Sequence, residues 1–145
     1  MEIKIYLEKL NELGACREAV EWSGNYAASQ EAWEACENGA WMLWLVKRTM
    51  LGTDAALRKL TLTKARWAKL VLHLMKDDRS KNAVLVAEKF GMGMATLDEL
   101  DAAAAAYAAA CAAAYAAADR LEILKRCADI VRADYSNVDE LLAKI

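Results

Sequence analysis

The sequence predicts an all-α protein, a single-domain bundle of about six to eight helices with one long alanine-rich helix near the carboxyl terminus. Three observations support this class. The 145 residues include no proline and only six glycines, apolar residues recur at intervals of three and four, and strict alternation is absent. The length fits one compact domain. The composition excludes collagen-like, disordered and mostly-β classes, and it disfavours a secreted disulfide scaffold.

The amino-terminal segment is predicted to form four helices separated by turn residues. Gly14 follows the last periodic residue of the first helix and ends it. Ser29 is predicted to cap the third helix, which ends at the turn pair Asn38-Gly39. The fourth helix is the most apolar stretch of the chain, and Gly52 ends it. The predicted ranges are 3–13, 15–22, 29–38 and 40–51.

Four further helices follow in the rest of the chain. An amphipathic pattern opens at Asp54 and reaches about residue 76, and another helix runs near 79–90. Thr96 and Glu99 have the spacing of a capping box. From there a single helix of about 35 residues, roughly 50 Å long, is predicted to run to Arg132. Asn137 caps a short final helix. The domain thus divides into Trp-rich acidic, basic amphipathic, alanine-rich and terminal segments at 1–52, 54–90, 96–132 and 137–145.

Fourteen of the seventeen residues from Ala102 to Ala118 are alanine, and Tyr107, Cys111 and Tyr115 interrupt them at four-residue steps. Alanine is the best helix former, so this segment needs little tertiary help to be helical. We interpret it as a close-packing spine whose tyrosine–cysteine ridge lies in the groove of a neighbouring helix. The alternatives are a homodimer contact through the alanine surface and an ice-binding surface, although regularly spaced threonines are lacking.

The charged amino terminus and the lack of a strongly apolar span predict a cytoplasmic protein with no membrane segment. Thiols stay reduced in that compartment. The spacing of the four cysteines matches no metal site, and we expect no metal or cofactor. The cysteines are interpreted as small buried hydrophobes; they are Cys16, Cys36, Cys111 and Cys127.

Charge is unevenly distributed along the chain. Residues 1–40 carry three positive and eight negative side chains, residues 41–81 carry ten and three, and residues 82–145 carry six and ten. The basic block either pairs internally or presents a basic face to an anionic partner. Nucleic acid is disfavoured because aromatic interleaving and a helix-turn-helix pattern are lacking. The candidate anion-binding or nucleotide-binding residues are Lys59, Arg66, Lys69, Arg126 and Arg132.

No catalytic motif is present in the sequence, and we expect no enzyme and no catalytic residues. The lone histidine, His73, has no nucleophile or carboxylate at a spacing that would pair with it on one helix. Phosphate-binding loops and the HExxH zinc motif are absent. The segment Gly91-Met92-Gly93 is too short to cradle a phosphate and is interpreted as a turn that ends a helix.

Four of the five tryptophans lie between residues 22 and 44. They either build the core of the amino-terminal half or line an exposed patch, since aromatic side chains anchor protein interfaces. An acidic face beside them would suit a basic partner such as a nuclease. The candidate partner-binding residues are Glu31, Trp33, Glu34, Trp41 and Trp44.

Three motifs together resemble a family of small helical proteins identified as immunity proteins of bacterial polymorphic toxin systems, with relatives in phage and gut-bacterial genomes. The motifs are Cys-x5-Trp at 16–22, Trp-x2-Cys-x4-Trp-x2-Trp at 33–44, and Cys-Ala-Asp-Ile-Val-Arg at 127–132. This chain departs from the family pattern at Ala40, where an acidic or polar residue is usual.

The resemblance implies an all-helical, non-enzymatic protein that neutralises a toxin by binding it. A related hypothesis is that the protein is a phage-encoded inhibitor of a host factor. The alternative function is a phage protein that sequesters a small anion or a nucleotide on the central basic residues.

Overall fold

The computed structural model describes all 145 residues, apart from the side chains of Ala110 and Ala114. It is 76% helical and confirms the all-α class. The described chain has nine α-helices, one more than the upper end of the expected number, and a short 3₁₀ turn at Leu72–Leu74. The helices are α1 Ile3–Leu13, α2 Arg17–Ser23, α3 Ser29–Ala35, α4 Gly39–Thr49, α5 Asp54–Lys69, α6 Asp78–Gly91, α7 Leu97–Ala117, α8 Arg120–Asp134 and α9 Val138–Leu142.

Two clusters of buried side chains hold the bundle together. The larger one joins α1, α3, α4, α8 and α9 around residues such as Trp33, Val46 and Val131. The smaller one joins the end of α5 and the 3₁₀ turn to α6 and α7, around Val71 and Val84. The chain ends meet in the larger cluster, because Met1 and the last helix both contact α3.

Glycine lets two pairs of helices approach closely. A Cβ added at Gly39 would lie 2.5 Å from Cys127 Cβ and 2.6 Å from the Ala128 nitrogen, so the start of α4 rests on the backbone of α8. A Cβ at Gly91 would lie 2.5 Å from Leu62 Cβ, where the end of α6 meets α5. The first contact places α4 against α8, and the second places α6 against α5.

The predicted long helix from 96 to 132 is wrong, because it is broken into α7 and α8 at Ala118 and Asp119. Ala118 is extended, with φ −90° and ψ 162°, and the Asp119 carboxylate accepts a hydrogen bond from the Glu122 amide. The two helices pack on different neighbours, α7 on α6 and α8 on α4. This tertiary requirement outweighs the helix propensity of alanine at the junction.

Helix caps were predicted with mixed success. The Thr96–Glu99 capping box and the Asn137 cap are both confirmed. The Ser29 cap is wrong: Ala28 holds the N-cap position, and the buried Ser29 hydroxyl instead donates to the Asp139 carboxylate at 2.5 Å and lies 3.1 Å from the Met1 carbonyl oxygen. Its partners lie far away in the sequence, which is why a local pattern misplaces it.

The tyrosine–cysteine ridge of α7 faces inward as predicted. The Tyr107 hydroxyl donates to the Lys64 carbonyl on α5 at 3.0 Å, and the Tyr115 ring lies 5.7 Å from the Trp67 ring. Cys111 between them is buried. The alanines on the other faces of α7 are mostly exposed where they are described.

By length and composition alone, α7 is the single helix among the described residues that is apolar enough to cross a membrane, and 6% of its apolar window is buried in the protein. The cysteine prediction needs one correction. Cys36, Cys111 and Cys127 are buried, but Cys16 is exposed, because it occupies the N-cap position of α2 at the surface.

Candidate functional site

A surface cavity of about 350 Å³ lies among the first four helices. We call it the tryptophan pocket. Its size falls in the range of ligand pockets, which begins at about 300 Å³. Its lining is mainly apolar and comes from all four helices and the α1–α2 turn. The principal wall residues are Tyr6 and Leu10, Ala15 and Ala19, Trp22, Ala32, Trp33 and Cys36, and Ala40, Trp41, Trp44 and Leu45.

Three half-buried indoles shape the accessible part of the pocket. The Trp22 and Trp41 rings lie 6.1 Å apart at an interplanar angle of 55°, and the Tyr26 ring lies 4.9 Å from Trp22 on the other side. Trp44 is held by the Arg48 guanidinium, which lies 5.8 Å from the ring. Because Arg48 also donates to the Leu13 carbonyl at 2.7 Å, it braces α4 against the end of α1. The aromatic walls are therefore fixed by neighbours before any ligand arrives.

Few polar groups line the tryptophan pocket. Burial raises the pKa of the Tyr6 hydroxyl well above its ordinary value, and the Cys36 and Asp139 charges add to that effect. Burial likewise raises the pKa of the Cys36 thiol. Both groups are therefore neutral at neutral pH and supply neither a nucleophile nor a base. The accessible wall of the pocket is therefore mainly apolar.

No family model, curated protein or solved structure matches this chain.

The five predicted partner-binding residues do not form one surface. Trp41 and Trp44 line the tryptophan pocket. Trp33 also lines the pocket, but it is 3% exposed and its Nε1 donates to the Tyr135 carbonyl at 2.8 Å, so most of its ring is packed in the core. Glu31 and Glu34 project from the other face of α3, where Glu31 accepts from the Ala27 amide and Glu34 accepts from Gln30.

Four of the five predicted anion-binding residues have internal partners. The Lys59 ammonium lies 4.4 Å from the Tyr135 ring. Arg66 pairs with Asp134 and Lys69 with Glu88, each at 2.8 Å. Arg132 donates to the carbonyls of Trp33 and Cys36, whereas Arg126 is exposed and has neither an ion pair nor a cation–π contact in the described part of the chain.

Most wall residues of the tryptophan pocket are absent from the predicted contact set, and Trp22 and Ala19 are two of them. Trp22 and Ala19 lie three positions apart on α2, so they share one face of that helix. That spacing predicts that Ala19 and Trp22 lie side by side, but it does not predict which helices form the rest of the pocket. Among the described residues, no group of three or more His, Cys, Asp or Glu side chains is arranged to hold a metal ion.

Proposed function

We propose that this protein binds a partner protein and inhibits it by direct contact, with the tryptophan pocket taking a bulky apolar side chain of that partner. The observation that carries the proposal is the preformed aromatic cavity of about 350 Å³ at the surface. Interface hot spots are enriched in tryptophan and cluster in well-packed pockets that exclude water. A toxin or a host factor is the kind of partner that the resemblance to immunity proteins implies.

The geometry favours a binding role over catalysis. The pocket offers indole and methyl surface from Trp22, Trp41, Trp44 and Ala19, and its buried tyrosine and cysteine are neutral. Exposed apolar pockets on small proteins mark interaction sites. The contact set proposed here is accordingly Trp22, Trp41 and Trp44, without Trp33, Glu31 or Glu34. A cytoplasmic location is part of the same proposal.

The alternative of an anion site on the predicted basic residues has weaker support. Lys59, Arg66, Lys69 and Arg132 already make internal contacts. An anion would have to break those contacts before it could bind. A homodimer through the exposed alanines of α7 stays a prediction, and sedimentation of the purified chain measures it directly.

A pocket-filling variant tests the proposed function. Ala19 lines the tryptophan pocket, whereas Ala35 on α3 is exposed and does not line it. We expect short random peptides selected on the wild-type protein to share a bulky apolar anchor. Those peptides should bind Ala19→Phe about tenfold or more weakly, because the new ring occupies the space of the anchor. Ala35→Phe is the matched control and should bind as the wild type does.

Circular dichroism and thermal melting show whether each variant folds, and Ala15→Phe fills the same pocket from the α1–α2 turn if Ala19→Phe does not. Selected peptides that share no apolar anchor would overturn the proposal. So would peptides that bind both filled variants with unchanged affinity.

A further inference from the structure

A second, smaller cleft of about 270 Å³ lies where α4 faces α5, next to the tryptophan pocket. Trp44 and Ala40 belong to both sites, so the Trp44 ring separates them. The apolar part of the lining, which we call the floor, includes Leu43, Leu60 and Trp67. What distinguishes the cleft from its neighbour is charge, because two lysines line it and no acidic residue does.

Lys47 and Lys64 are the two cations of the cleft. Neither forms a salt bridge with any described residue, whereas Arg58, Arg66 and Lys69 on the same segment each pair with a carboxylate. Burial and the neighbouring Lys47 charge both lower the pKa of Lys64. Two like charges near one apolar cleft repel each other, and an anion between them would relieve that repulsion.

Trp67 adds a further polar feature. Its Nε1–H is buried and has no hydrogen-bond acceptor among the described atoms. Buried indole N–H groups normally have a partner. The Trp67 ring lines both this cleft and a larger one beside Tyr115, so its buried Nε1–H does not bear on which ligand this cleft binds.

We propose that the cleft of Lys47, Lys64, Trp44 and Trp67 binds a small aromatic carboxylate, with its carboxylate between the two lysines and its ring on the apolar floor. The chemical class of this ligand follows from the residues that line the cleft. Lysine ammonium groups form charge-assisted hydrogen bonds with carboxylates, and indole and leucine surface accommodates a ring. The predicted basic residues contribute nothing to this site.

Phenylacetate is the probe for this cleft, and phenylacetamide and inorganic phosphate are its controls. In two-dimensional NMR spectra of the ¹⁵N-labelled protein, phenylacetate should shift the indole signals of Trp44 and Trp67 but leave that of Trp22 unchanged. Affinity should fall as salt is added, since the contact is electrostatic. Phenylacetamide lacks the charge and phosphate lacks the ring, so both should bind about tenfold or more weakly.

Lys47→Met and Lys64→Met keep much of the side-chain volume and remove the charge, and each should weaken phenylacetate binding about tenfold or more. Lys76→Met, at an exposed lysine outside the cleft, is the matched control and should change nothing. The assignment is overturned if phenylacetate binds no tighter than its amide or phosphate, or if Lys76→Met weakens binding as much as the cleft variants do. Since Ala19→Phe leaves this cleft untouched, the two proposals fail separately.

Discussion

Arg132, one of the predicted anion-binding residues, binds the protein's own backbone instead of a ligand. Its guanidinium donates to the Trp33 carbonyl at 2.8 Å and the Cys36 carbonyl at 3.0 Å, and it pairs with Asp129 at 3.0 Å. The last carbonyls of a helix have no partner within the helix, and a cation there also favours the helix dipole. The fork of an arginine can serve two carbonyls at once. Arg132 therefore closes the end of α3.

This role predicts a stability effect that Arg126 does not share. Arg132→Gln should lower the free energy of unfolding by about 1.5–3 kcal/mol, the range for hydrogen bonds that involve a charged group. Arg126→Gln, at an exposed position six residues earlier on α8, should stay within about 0.5 kcal/mol of the wild type. Urea denaturation followed by circular dichroism measures both. Equal losses in the two variants would contradict the assignment.

At the scale of the helices, what the sequence predicts depends on how local the cause is. The Thr96 and Asn137 caps are confirmed because each is satisfied within three residues. Asp119 and Glu122 have the same spacing, but the strong helix propensity of the alanines led us to expect an unbroken helix there. The break exists because α7 and α8 pack against different helices, which no local pattern records.

Gly39 is where α4 packs closely on α8. Its Cβ would lie 2.5 Å from Cys127 Cβ and 2.6 Å from the Ala128 nitrogen, so α4 would have to move away from the backbone of α8. Gly39→Ala should therefore destabilise the protein by about 1–3 kcal/mol, as overpacking does. Gly52→Ala is the control, because nothing lies within 4 Å of the added Cβ.

The stability of Gly52→Ala should equal or slightly exceed that of the wild type, since alanine reduces the entropy of the unfolded chain. Both variants are compared by their midpoint in urea. An unchanged midpoint for Gly39→Ala would show that the contact between α4 and α8 is loose.

For the molecule as a whole, periodicity was enough to predict the fold class but not the site. The tryptophan pocket has walls from four helices, and its volume depends on how far apart those helices sit. The burial of Trp33 depends on a carbonyl 102 residues away, at Tyr135. The sequence predicts Trp33, Trp41 and Trp44 alike as contact residues. Only tertiary packing determines that Trp33 is buried while Trp41 and Trp44 stay partly exposed.

The same long-range packing joins the two ends of the chain. The Asp139 carboxylate on α9 accepts hydrogen bonds from the Met1 amino group at 2.6 Å and from the Ser29 hydroxyl at 2.5 Å. Burial raises the pKa of Asp139, but these two hydrogen bonds and the Met1 charge outweigh it, and the net pKa is lower than usual. A carboxylate whose pKa is lower in the folded state stabilises the protein above its unfolded pKa of about 3.9.

That stabilisation is lost as the pH falls through the folded pKa of Asp139. Asp139→Asn should therefore melt at a lower temperature than the wild type at pH 7, and the difference should shrink as the pH is lowered below the unfolded value. Glu140→Gln is the matched control, because Glu140 lies in the same first turn of α9, is exposed, and has no ion pair among the described residues. Melting curves across this pH range measure the effect. If the difference in melting temperature between Asp139→Asn and the wild type stayed constant down to the lowest pH, the prediction would be contradicted. The loss of stability would then come from lost packing and not from the lost charge.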